Sequence, residues 1–138
     1  MDIQIIKIDQ DTRQVSFQLQ PKIITGILKL VQIVVISLLT TPDGRSVFFP
    51  EKGAGMLSLV GLYNFDTSGT SELFAEIARM VKKTEREIIE AQIGSSDPEY
   101  EKLTEIQIVN IKQGASQDSL LVQLRVVNQA GQISDIMV

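Results

Sequence analysis

The chain reads as an α+β domain, an antiparallel sheet packed against about three helices. Three observations lead there. Both ends read as strands, a hairpin over 1–20 and a set of strands over 103–138, while the middle, 21–92, carries helical periodicity. Turn-forming residues separate these regions, most densely in a hinge over 40–55. Third, 138 residues are enough for one domain that buries roughly two thirds of its unfolded surface without staples.

The elements follow in order. Ile3 to Ile8 is β-branched and apolar. Gln14 to Gln20 alternates, with Val15, Phe17 and Leu19 on one face and Gln14, Ser16, Gln18 and Gln20 on the other. Asp9 to Thr12 is the polar turn between them, so this is a hairpin with one face toward water. Pro21 ends the second strand and suits the first turn of a helix. From Ile23 to Leu39 only Thr25, Gly26, Lys29, Gln32 and Ser37 are not large and apolar, and Thr25, Lys29 and Gln32 form one narrow polar stripe at helical spacing. Spanning a bilayer takes about 20 apolar residues. This run has 17 with a lysine inside it, so it reads as a buried core helix rather than a membrane segment. A second surface of the same helix is free to meet another subunit.

Thr41, Pro42, Asp43 and Gly44 suit a type I turn, because proline presets the backbone angle at the second position and glycine suits the fourth. Arg45, Phe48, Phe49, Pro50 and Gly53 follow. On local grounds alone this is a helix-ending loop that buries Phe48 or Phe49. A short apolar helix is expected over 56–62, then a loop over 66–70. Thr70 or Ser71 would cap the next helix, about Ser71 to Ala91, with Glu72 in its first turn. Leu73, Ile77, Met80, Val81, Thr84 and Ile88 share one face of that helix, and charged residues crowd the rest. Beyond the loop at Gly94 to Pro98, a strand is expected from Thr104 to Lys112. In it Ile106, Ile108 and Asn110 alternate with Glu105, Gln107, Val109 and Ile111. The next strand places Leu120, Val122, Leu124 and Val126 on one face, and Ile133 to Val138 makes a last short strand with Ile136 in it. Together these close the chain as an antiparallel meander.

Composition excludes much chemistry. There is no cysteine and no histidine, which removes thiolates, disulfides, the commonest general base and the commonest metal ligand. A net charge of −4 without a basic run leaves no footprint for nucleic acid. The amino terminus shows no basic segment followed by an apolar block, so a cytoplasmic site of synthesis is expected. No cofactor is implied. Glu85, Glu87 and Glu90 are the densest acids, but they lie on a charged helix face. Asp9 and Asp11 sit in a turn without the further ligands of a calcium loop. No nucleophile or phosphate-loop motif is present, and an enzyme is not expected.

The order of apolar helix, Thr41, Gly44 and Arg45, aromatic, proline, glycine and second helix resembles the baseplate wedge family of contractile phage tails. Members of that family also occur in type VI secretion baseplates. There the turn is usually Pro-Gly-Glu-Arg; here it is Pro42, Asp43, Gly44 and Arg45. The resemblance covers about 21–138 and leaves the N-terminal hairpin outside. It implies a structural subunit of the virion tail, assembled in the host cytoplasm, that links the wedge core proteins to the tail sheath subunit and seeds sheath polymerisation by strand addition. The six-fold baseplate implies about six copies. On the same basis Thr41, Pro42, Gly44, Arg45, Phe48, Phe49, Pro50 and Gly53 form the hinge. The family's Glu-Pro-Arg contact with the wedge bundle maps onto Glu85, Arg86 and Ile88, without the proline. Ile106, Ile108, Leu120, Val122, Leu124, Val126, Ile133 and Ile136 mark the sheath-contact strands. Read without the family, Glu85, Arg86 and Glu90 are a solvated face with charge pairs such as Arg86 with Glu90. Two other readings stand beside this one, a small cell-wall glycosidase and a generic cytoplasmic oligomerisation domain joined through the apolar helix.

Overall fold

The computed structural model describes residues 2–18, 23–40, 54–55, 70–113 and 120–138. Its fold is α+β, with two helices among the described residues. The expected third helix over 56–62, the loop over 66–69 and the hinge residues Thr41, Pro42, Gly44, Arg45, Phe48, Phe49, Pro50 and Gly53 lie outside them.

The N-terminal hairpin is a broken ladder. Strand β1 (Asp2–Ile3) pairs with β4 (Ile23–Ile24), and β2 (Ile6–Ile8) pairs with β3 (Val15–Phe17), all antiparallel. The expected hairpin forms, but its faces differ from the expectation. Ile6 is fully buried, whereas Phe17 is 60% exposed. The start of the apolar run, Ile23–Ile24, is spent on β4 rather than on the helix.

Helix α1 (Gly26–Leu39) is the centre of the core. Leu30, Val31, Val34, Val35 and Leu38 are buried. Of the polar stripe, Gln32 is buried with them and Lys29 is partly buried, while Thr25, just before the helix, is exposed. Gln32 accepts the Ile5 N–H through Oε1 at 2.8 Å, which ties the helix to the hairpin. At the other end, Ala54 N–H donates to the Ser37 carbonyl at 3.0 Å and Gly55 N–H to Thr40 at 2.9 Å. The returning chain thus satisfies carbonyls that a helix end leaves without partners. Gly55 does so with φ at +70°, a conformation that suits glycine.

Helix α2 (Thr70–Gln92) buries the predicted face of Leu73, Ile77, Met80, Val81, Thr84 and Ile88. Thr70 is already its first residue, so neither Thr70 nor Ser71 is the cap. The helix packs against the strand β5 (Leu103–Gln113), while α1 lies against β6 (Leu120–Asn128) and β7 (Ile133–Met137). The order β5-β6-β7 is the predicted antiparallel meander, with β6 central. It forms a sheet of its own, and a parallel bridge between Gln14 and Met137 joins it to the hairpin.

Strand β6 keeps strict alternation, with Val122, Leu124, Val126 and finally Asn128 inward. Strand β5 does not. Its register against β6 shifts between Leu103 and Glu105 and again between Ile108 and Asn110. Each extra residue flips the facing of those beyond it. Leu103, Ile106, Ile108 and Ile111 therefore share the core side, and Asn110, expected to share a face with Ile108, is exposed.

Candidate functional site

The C-terminal sheet is the candidate site, and its availability depends on what closes its two edges. Seven of the eight predicted contact residues point the wrong way for side-chain recognition. Ile106, Val122, Leu124, Val126 and Ile136 are buried, and Ile108 and Leu120 pack against the same core. Only Ile133 is open, at 59% exposure. The sheet can therefore offer its backbone edges and its outer face, but not these side chains.

The outer edge of β5 is closed at its beginning by α2. Leu103 N–H donates to Gln92 Oε1 at 2.8 Å, and Ile106 N–H donates to Glu85 Oε2 at 2.7 Å. Ile106 turns its N–H outward, so Ile108, two residues on, shares that edge. Among the described residues, the backbone of 107–112 has no hydrogen-bond partner outside β6. The side chains of Gln107, Val109, Asn110 and Lys112 are exposed there.

The outer edge of β7 is met by the hairpin turn. Met137 N–H donates to the Arg13 carbonyl at 2.8 Å, and Arg13 Nε donates to the Asp135 carbonyl at 2.9 Å. On the outer face Asp135 also pairs with Arg125 across β6–β7 at 2.8 Å. Arg125 holds the Asp135 carboxyl below its ordinary range, outweighing burial, and Arg13 adds to this.

The predicted wedge contact is not one surface. Glu85 reaches the β5 backbone and also Lys82 at 3.1 Å, Ile88 is buried in the core, and Arg86 alone is exposed. The charge pairs on α2 are Glu76 with Arg79, Lys82 with Glu85 and Lys83 with Glu87, rather than Arg86 with Glu90.

A polar cluster that sequence reasoning missed leads the chain into β5. A 3-10 turn, Glu99–Glu101, carries Glu101, whose carboxylate accepts the Gly26 N–H at 3.0 Å and Lys29 Nζ at 3.0 Å. It thus satisfies the N-terminus of α1, where Thr25 makes no side-chain cap. Burial pushes the Glu101 carboxyl up, but the Gly26 and Lys29 hydrogen bonds and the Lys29 charge outweigh it and hold it below its ordinary value. The same hydrogen bond raises Lys29, against its burial. Gln92 Nε2 donates to the Glu101 carbonyl, and buried Asn128 donates to the Tyr100 carbonyl and to Gln132. The polar stripe at Lys29 and Gln32 was the available signal; a lysine inside an apolar helix needs a partner.

The other acids were weighed for hydrolytic chemistry. Glu87 and Asp97 line one cleft of about 230 Å³ with Ile33, Ser37 and Ala91. Each has a cation nearby, Lys83 at 3.6 Å and Lys29 at 3.9 Å. Asp9 Oδ1 accepts the N–H groups of Asp11 and Thr12 and shapes the turn. Among the described residues no acidic group gathers into a metal-binding cluster, and no helix is long and apolar enough to cross a membrane.

No family model matches this chain, and no curated protein or solved structure matches it either.

Proposed function

We propose that this chain is a structural, non-enzymatic subunit of a contractile tail baseplate, one that joins the wedge core proteins to the tail sheath subunit and seeds sheath polymerisation. The observation that supports this reading is the outer edge of β5 beyond Ile106, whose backbone has no described partner outside β6. Such an edge accepts an extended segment of another chain, with main-chain hydrogen bonds supplying affinity. The resemblance of the hinge supplies the partners, the sheath on one side and the wedge core on the other. The reading includes a third helix over 56–62, a hinge at 41–53 facing the wedge, about six copies in a closed ring, and a place in the virion tail after assembly in the host cytoplasm. An oligomer joined through the apolar helix has less support, because α1 spends Leu30, Val31, Val34, Val35 and Leu38 on its own core.

The test is co-assembly with the tail sheath subunit. Removing everything after Gln113 would delete β6 and its buried face, so a finer tool is needed. The chain has no cysteine, so Asn110→Cys offers a single site for a bulky maleimide on the β5 edge. The unmodified chain should nucleate ordered sheath and the modified one should not, with both showing the same circular dichroism. Equal nucleation removes the β5 edge from the reading. No nucleation by the unmodified chain removes the baseplate role.

A further inference from the structure

We propose that the turn of the N-terminal hairpin is a releasable latch over the outer edge of β7. The hairpin is anchored at its base and loosely held at its tip. At the base Ile6 is fully buried, Ile5 N–H is held by Gln32 at 2.8 Å, and Gln18 N–H donates to the Ile5 carbonyl at 3.0 Å. At the tip, Asp9 to Gln14 are all exposed. Between the tip and the sheet lies a cleft of about 370 Å³ bordered by Asp9, Gln14, Val15, Leu121, Met137 and Val138, where a packed interface would have no such space.

The tip therefore holds β7 by the two hydrogen bonds of Arg13, one from Met137 N–H and one to the Asp135 carbonyl, with the Gln14–Met137 bridge beside them. Arg13 makes these bonds with φ at +60°, a left-handed conformation that side-chain-bearing residues adopt at a cost. That strain offsets part of the hydrogen bonding. Little apolar surface is exposed when the tip lifts, so opening is a local event that leaves the β6–β7 ladder and the core intact. Lifting frees the Met137 N–H and the Asp135 carbonyl, which creates a second edge able to pair with an extended segment from another chain. The latch is distinct from the β5 edge and stands or falls without the baseplate reading, since its readout needs no partner.

Amide hydrogen exchange of the full chain, followed residue by residue, tests it. The Met137 amide should exchange at least about tenfold faster than the Leu124 amide, which reports global opening from the central strand. Arg13→Ala, which removes the guanidinium and its bond to the Asp135 carbonyl while keeping the strained backbone, should speed Met137 further and leave Leu124 unchanged. Gln14→Cys with Met137→Cys places a disulfide across the bridge. When oxidised it should slow the 135–138 amides to the rate of Leu124, and reductant should reverse this. If Met137 exchanges at the Leu124 rate in both the native chain and Arg13→Ala, the hairpin is a fixed part of the fold and there is no latch. That comparison suffices even if the double-cysteine variant does not cross-link.

Discussion

The two edges of the C-terminal sheet face the same hazard and meet it differently. Both carry backbone groups that would pair with any extended segment at hand. On β5 the first outward groups are capped by side chains, Glu85 and Gln92, which project from a helix seated in the core. On β7 they are capped by Arg13 of an exposed turn, through its backbone carbonyl and its side chain, more than a hundred residues away in sequence, with |i−j| of 122 for the Arg13–Asp135 contact. The first closure rests on side chains of a helix that the core holds in place. The second can open while everything else stays folded. A sheet edge is thus protected as firmly as the element that covers it, irrespective of the number of hydrogen bonds involved. The bulges in β5, absent from its pairing partner's alternation, add a third difference, since they interrupt the ladder near its uncovered part.

The largest effect that would break this contrast comes from the strand between the edges. Leu124 is fully buried and pairs with Ile108 on one side and Ile136 on the other. Leu124→Ala should cost about 3–4 kcal/mol in denaturant unfolding and loosen both edges together. An effect confined to one edge would mean that the sheet does not respond as a unit.

Next is Glu101, which fixes the turn that delivers the chain to β5. Glu101→Gln leaves Lys29, 13% exposed, with a neutral partner at its close contact and only the more distant Asp97, at 3.9 Å, for its charge. It should destabilise by about 3 kcal/mol, and the further change Lys29→Met should recover a large part of the loss. The pH dependence has a definite sign. The folded Glu101 carboxyl lies below its ordinary value of 4.5, so its contribution is present above that pH and is lost as pH falls through the folded value. Glu101→Gln should flatten this part of the acid limb of an unfolding series.

Glu85→Ala sharpens the comparison directly, because it strips the Ile106 N–H of its acceptor. The expected cost is about 1–2 kcal/mol, with Glu85→Gln retaining most of the stability. In hydrogen exchange the Ile106 amide should speed up while Met137 does not change. Matching changes at both amides would mean that the two edges open together.

The smallest effect is at Asp135. Its pair with Arg125 is 39% and 32% exposed on the two sides, so Asp135→Asn should change stability by no more than about 0.5 kcal/mol. The latch should survive, because Arg13 uses the Asp135 backbone carbonyl rather than its carboxylate. Thermal unfolding measures the first point and Met137 exchange the second.

Much of this architecture was legible in the residues themselves. The face of α2 from Leu73 to Ile88 and the inward row of β6 follow from periods of 3.6 and 2. Those periods are local, set by backbone geometry, and need no knowledge of what lies opposite. Other features needed the fold. A bulge is an excess of one strand over another, so the reversal of Asn110 and Ile111 cannot be read from β5 alone. Glu85 looked like one more charge on a solvated face until β5 brought Ile106 N–H to it. Lys29 announced that it needed a partner but not which one, since Glu101 lies 72 residues on. Sequence alone thus determined the fold class, the order of most elements and which faces are apolar, because these follow from local periodicity and turn chemistry. Tertiary structure alone decided which backbone groups remain unpaired, because an edge is open or closed only through contacts between segments far apart in the chain.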